Sequence, residues 1–143
     1  MKYLFTQPVL HSGGNGLQRK HPDMRNLFSA FKYALAGFGY TFRNERNFRI
    51  EILFALGACT AGFIFHITPP EWCIVVMNIG AVLSAELFNT AIEKICNEFS
   101  REIRPGIKVI KDVSAAAVLV FAIISLVCGL IIFVPHFLGF KNV

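Results

Sequence analysis

Charge is scarce in this sequence. Asp, Glu, Lys and Arg make up 16% of its 143 residues, where an ordinary soluble domain carries about 25%. Apolar residues fill the deficit: 55% of the chain is hydrophobic, fifteen Phe included, and the mean hydropathy is +0.55. That is more apolar surface than a small soluble core can hide, and the same arithmetic excludes disorder. With 11 Gly and four Cys, the chain is neither collagen-like nor disulfide-rich. Cys59, Cys73, Cys96 and Cys128 are widely spaced, with no C-x-x-C and no nearby His pair. Neither a zinc site nor a disulfide framework is indicated. The signatures of soluble nucleotide enzymes and hydrolases are missing too: no G-x-x-x-x-G-K-[ST], no G-x-G-x-x-G, no H-R-D or D-F-G, no H-E-x-x-H and no G-x-S-x-G. What remains is an integral membrane protein or a buried subunit of something larger, and any enzyme here must use another constellation.

Residues 1–24, with Pro8, Pro22, Gly13, Gly14 and Gly16, are expected to form a flexible tail. They are not read as a secretory signal, because the apolar stretch is short and broken by Gln7 and Pro8. From 25 to 43, Leu27, Phe31, Ala34, Leu35, Phe38 and Phe42 recur at steps of three and four, interrupted by Arg25, Lys32 and Arg43. This predicts an amphipathic helix lying on a membrane face, the alternative being a helix packed on a protein core. The charged stretch NERNFRIE, 44–51, leads into the uncharged run 52–67, roughly 24 Å as helix and short for a span unless a few flanking residues join it. Thr68-Pro69-Pro70-Glu71 reads as a tight loop. A second span is expected at 72–92, with Trp72 at the boundary and Asn78, Ser84, Glu86 and Asn89 inside. A charged segment, 93–112, is broken at Pro105-Gly106. The third span is the uncharged run 113–134, roughly 33 Å as helix, closed by Pro135 and a short tail.

The formal net charge is +5. A basic balance can signal nucleic acid, but in so apolar a chain it is read as topology, and no nucleic-acid partner is expected. Lys2, Arg19, Lys20, Arg25, Lys32, Arg43, Arg46 and Arg49 precede the first span, and Lys94, Arg101, Arg104, Lys108 and Lys111 lie between the second and third. The 68–71 loop has none, and the tail has Lys141 alone. Three spans put the first two groups on one side, which the positive-inside rule makes the cytoplasm.

Glu86, Asn89 and Glu93 share one helix face, spread over roughly 10 Å of rise. An ionised Glu86 inside a span costs several kcal/mol, on the order of 3, unless it is paired, protonated or metal-bound, so such a residue marks function by default. The alternative is a neutral, hydrogen-bonded Glu used for helix association. Glu45, which is also spaced i,i+4 from Arg49 as a simple surface pair would be, falls at the same membrane depth as Glu93. Two such carboxylates can share a hard cation such as Mg²⁺. Lys111 and Asp112 return at this depth. Carboxylates for metal, a cation for phosphate and a buried carboxylate base are the parts that phosphoryl transfer needs.

Three motifs, FKYALAGFGYTFRNERNFRIE at 31–51, AELFNTAIE at 85–93 and IKDVSAAAVL at 110–119, make the sequence from about 25 to 135 resemble the small prokaryotic diacylglycerol kinase family, which includes the undecaprenol kinases. NERNFRIE is more similar to the undecaprenol-kinase branch. The resemblance implies an all-α integral membrane homotrimer, each chain with a surface helix and three transmembrane helices over 25–138, followed by a tail at 139–143. It implies a multi-pass enzyme of the inner (plasma) membrane with its N-terminus and active site cytoplasmic. Such an enzyme uses MgATP to phosphorylate the hydroxyl of a membrane lipid. Diacylglycerol is the expected acceptor and undecaprenol the alternative. Matched residue by residue, Glu86 is the implied general base, and Glu45 and Glu93 the implied Mg²⁺ and ATP ligands. Asn89 supports that cluster, Lys111 contacts phosphate and Asp112 the nucleotide. Tyr33 and Glu102 fall near the nucleotide, and Phe48, Arg49 and Glu51 on the lipid-facing stretch. Two positions depart from the family: Asn97 stands where an acidic residue is frequent, and Asn26, beside Arg25, where an Arg is expected. A small channel or transporter subunit using Glu86 as an ion site is the remote alternative.

Overall fold

The computed structural model describes residues 24–99 and 104–139, with side chains from Leu27 onward. The expectations for the N-terminal tail, for Arg25 and Asn26 as side chains, and for Glu102 lie outside the described residues. Among the described residues four helices follow one another: α1 Met24–Asn44, α2 Arg46–Ile64, α3 Pro69–Phe99 and α4 Pro105–Phe137. Among the described residues there is no strand. The last three helices are long and apolar enough to cross a membrane, and the protein is all-α and multi-pass.

The amphipathic stretch is α1. Leu27, Phe28, Phe31 and Leu35 are all more than 60% exposed, while nearer the C-terminus of the helix Phe38 meets Phe48 of α2 and Thr41 is buried. The helix stops at Asn44 because Glu45 is extended (φ −106, ψ 120), while the Glu45 N–H still donates to the Thr41 carbonyl at 2.8 Å. α2 then starts at once, so Arg46–Glu51, read as a charged approach, is helical. That first turn and a half lets this short span approach the ~30 Å of a hydrocarbon core.

The expected 68–71 loop is replaced by the start of α3. Pro69 and Pro70 are its first two residues, where a missing N–H costs nothing because that donor has no intrahelical partner anyway. Glu71, at the third helical position, reaches back to Thr68 as a start signal: its Oε2 accepts from the Thr68 N–H and from Oγ1, both at 2.8 Å. The turn out of α2 uses His66 at φ +49. Gly62 closes the α2–α3 hairpin, for a Cβ there would lie 2.8 Å from the Trp72 ring. α3 also runs on through the charged 93–99 stretch. α4 absorbs Pro135 within its final turn, with Leu138 N bonded to the Val134 carbonyl at 3.0 Å.

α3 and α4 make the largest helix–helix contact. Polar pairs join them at successive depths: Lys111 with Asn97, Ser114 with Asn89, Ser125 with Asn78 and His136 with Glu71. Hydrocarbon offers no hydrophobic drive for helix association, so such bonds, about 1 kcal/mol each, set register.

Candidate active site

The end of the bundle where α1 meets α2 also carries the last turns of α3 and the first of α4. Glu45 sits at the α1–α2 elbow. Its carboxylate makes no helix-capping bond. Instead Glu45 Oε1 pairs with Lys94 Nζ of α3 at 3.2 Å, and the same ammonium lies 5.6 Å from the Tyr40 ring centre. The expected Glu45–Arg49 pair does not form. Arg49 Nη1 donates to the Phe42 and Arg43 carbonyls at 3.3 and 3.0 Å, satisfying the open end of α1 as a cation there should.

Glu86 is 3% exposed and Asn89 8%. They lie one helical turn apart on the same buried face of α3, and Glu45 and Glu93 are near enough for their charges to act on Glu86. The fold therefore gathers Glu45 from the elbow with Glu86, Asn89 and Glu93 from one face of α3. On the α4 side, Lys111 Nζ donates to Asn97 Oδ1 at 2.6 Å. Asp112 follows Lys111 and is exposed.

Tyr33 stands apart from this group, on α1 and 73% exposed. Phe48, expected on the lipid-facing stretch, lies between α1 and α2. It is 0% exposed and its ring meets Phe38 edge-on at 5.0 Å, so it holds α1 against α2. Glu51 is half-buried, with Oε2 buried and without a hydrogen-bond partner, and it feels the charge of Glu86. It also lines a cavity of about 670 Å³ between α2, α3 and α4 whose other walls are almost wholly apolar, among them Phe54, Ala58, Ile79, Leu83 and Leu126.

Sequence reasoning missed Lys94 and Ser114. Lys94 follows Glu93 and points to a carboxylate 49 positions earlier, a pairing that only the docking of α3 beside the elbow creates. Ser114 sits at the third position after Lys111, and its Oγ donates to Asn89 Oδ1 at 2.7 Å. A small polar residue amid alanines opposite an intramembrane Asn was the available signal.

No group of three or more His, Cys, Asp or Glu that could hold a metal ion occurs among the described residues. The donor set still suits Mg²⁺, which commonly takes one or two carboxylates and fills its octahedron with waters and substrate phosphate. Glu45 and Glu93 would supply such a pair.

A sequence model of the family described as prokaryotic diacylglycerol kinase matches residues 32–133. Undecaprenol kinase of Bacillus subtilis is 38% identical over 113 residues, 79% of this chain and 92% of that protein. Diacylglycerol kinase of Synechocystis is 32% identical over 80% of this chain and 66% of its own length. Diacylglycerol kinase of Pseudomonas aeruginosa is 31% identical over 77% of this chain and 84% of its own. The match takes in α2, most of α1, all of α3 and nearly all of α4, so this chain belongs to the prokaryotic diacylglycerol kinase family and is an ATP-dependent lipid kinase of the membrane.

Proposed function

We propose that the chain transfers the γ-phosphoryl group of MgATP to the hydroxyl of diacylglycerol, giving phosphatidic acid, with Glu86 as the general base. The burial of Glu86 beside Asn89, below two carboxylates on the same side of the bundle, carries this reading. A base must reach the proton it removes, and a lipid hydroxyl lies deeper than the headgroup level where ATP arrives. Glu93 is seven residues nearer the aqueous end of α3 than Glu86, roughly 10 Å. Nucleotide thus meets the upper carboxylates and the lipid hydroxyl meets the lower one.

Glu45 and Glu93 would hold Mg²⁺, which when bound offsets phosphate charge as it shifts toward the leaving oxygen. Lys111 contacts phosphate as a point charge, with Asn97 holding its ammonium. Asp112, Tyr33 and Glu102 serve the nucleotide. Arg49 and Glu51 serve the lipid: the apolar trough ending at Glu51 suits a hydrocarbon chain bearing one hydroxyl. Phe48 supports this stretch from beneath.

Undecaprenol is the second reading. It is favoured by the 38% identity to the Bacillus subtilis undecaprenol kinase and by NERNFRIE at 44–51. Purified protein in mixed micelles, given MgATP and each lipid alcohol separately, decides between them. Faster phosphorylation of diacylglycerol supports the first acceptor and faster phosphorylation of undecaprenol the second. ATP hydrolysis with neither lipid labelled would overturn both.

A further inference from the structure

Beyond helping to set the α3–α4 register, Ser114 has no part in the roles described so far, yet its side chain is placed where one hydrogen bond bears on the state of its neighbours. It is 8% exposed, and its Oγ lies 2.7 Å from Asn89 Oδ1 and 2.9 Å from the Lys111 carbonyl. Both partners are acceptors and a serine hydroxyl carries one proton, so it donates to one of them at a time. Asn89 lies one helical turn from Glu86 on the same buried face of α3, with its amide within reach of that carboxylate. We propose that Ser114 is a positioning residue for phosphoryl transfer: by donating to Asn89 Oδ1 it keeps the amide turned with its NH₂ toward the Glu86 carboxylate. The proposal rests on the reading of Glu86 as base.

The physical reason is the near-symmetry of an amide. Rotated by half a turn, Asn89 fills the same space but aims its carbonyl oxygen at the carboxylate, which repels it. Shape does not distinguish the two orientations; the carboxylate on one side and a donor on the other do, and the donor adds to a preference that the carboxylate alone sets only from its own side. Ser114 is that donor, and its α4 backbone is tied to Lys111, so the base is referenced to the helix that carries the phosphate-contacting cation. The second acceptor has a use as well. Once Glu86 has taken the proton of the acceptor hydroxyl, the chain can run in reverse. Glu86 O–H then donates to Asn89 Oδ1, Asn89 NH₂ to Ser114 Oγ, and Ser114 O–H to the Lys111 carbonyl. Every buried group keeps a partner in both states, which matters most where water is scarce.

The test uses full-length protein in lipid micelles and compares Ser114→Ala, Ser114→Thr, Asn89→Ala, the Ser114→Ala/Asn89→Ala pair and Glu86→Gln. One neutral hydrogen bond is involved, so Ser114→Ala is expected to lower kcat about 3- to 10-fold with KM for MgATP unchanged. Ser114→Thr, which keeps the hydroxyl, should restore kcat. In the Asn89→Ala background, Ser114→Ala should have no further effect, because the residue acts through Asn89. Normal kcat in Ser114→Ala, or a loss that persists undiminished without Asn89, overturns the proposal. If Glu86→Gln is inactive in that case, the base assignment stands alone; if Glu86→Gln is fully active, the base reading falls first and takes this one with it.

Discussion

Glu45 and Arg49 show how a residue's role depends on what the fold brings to it. Their spacing is that of a helical ion pair, but a pair of that kind needs one continuous helix, and the chain bends at Glu45 itself. Arg49 turns back to the α1 carbonyls and Glu45 crosses to Lys94. Glu86, Asn89 and Glu93 were legible because a single uninterrupted helix carries all three, and helical offsets survive any tertiary arrangement. Lys94 and Ser114 were not, since each is defined by a partner on another helix. The Lys94–Glu45 pair is half exposed and contributes about 0–1 kcal/mol at most, so it does not prevent Glu45 from taking a stronger cation. Glu45→Gln and Glu93→Gln each keep shape and remove one negative charge from the proposed metal site. Both variants should need several-fold more Mg²⁺ for half-maximal turnover. Titrating activity against Mg²⁺ checks this, and an unchanged Mg²⁺ requirement in both would remove the metal assignment.

At the scale of elements, hydropathy located the helices but not their ends. A run of uncharged residues marks only the part of a helix inside hydrocarbon. α3 has 31 residues, roughly 46 Å, against about 30 Å of hydrocarbon. Its excess carries Glu93 toward the aqueous side while Glu86 stays within. Prolines misled for a similar reason: Pro69 and Pro70 break a helix from within but open one from its first turn. The α1–α2 elbow rests on Phe48, the one fully buried large side chain among the described residues. In soluble cores Phe→Ala costs about 3–5 kcal/mol, and here the loss falls on the docking of α1. Phe48→Ala should speed proteolysis and hydrogen exchange in α1 while leaving α3 and α4 protected. Equal protection of α1 in both proteins would count against Phe48 as its anchor. Gly62 tests the opposite end. Gly62→Leu must displace the Trp72 ring, so its thermal unfolding in detergent should come several degrees earlier than the parent's; an unchanged midpoint would mean that the hairpin repacks freely.

For the whole molecule, orientation follows from the positive charges, which gather before α2 and between α3 and α4. We predict the N-terminus and the candidate active site inside and the α2–α3 turn outside. With the four native cysteines replaced by Ala, Pro70→Cys, at an exposed position, should react with an impermeant reagent added to intact cells. Labelling only after lysis would reverse the topology. A homotrimer belongs to the same reading, and native mass measurement of the detergent-solubilised protein should give three chains per particle. The central claim, that a buried carboxylate takes the proton of a lipid hydroxyl, is tested most directly by the turnover of Glu86→Gln against the parent, with nucleotide binding measured on the same samples. Gln is nearly isosteric and cannot act as the base. The account predicts a loss of about 10²–10⁴ in turnover with ATP affinity retained, since Glu45, Glu93 and Lys111 remain. Turnover within threefold of the parent would show that Glu86 only joins helices, and would contradict the account.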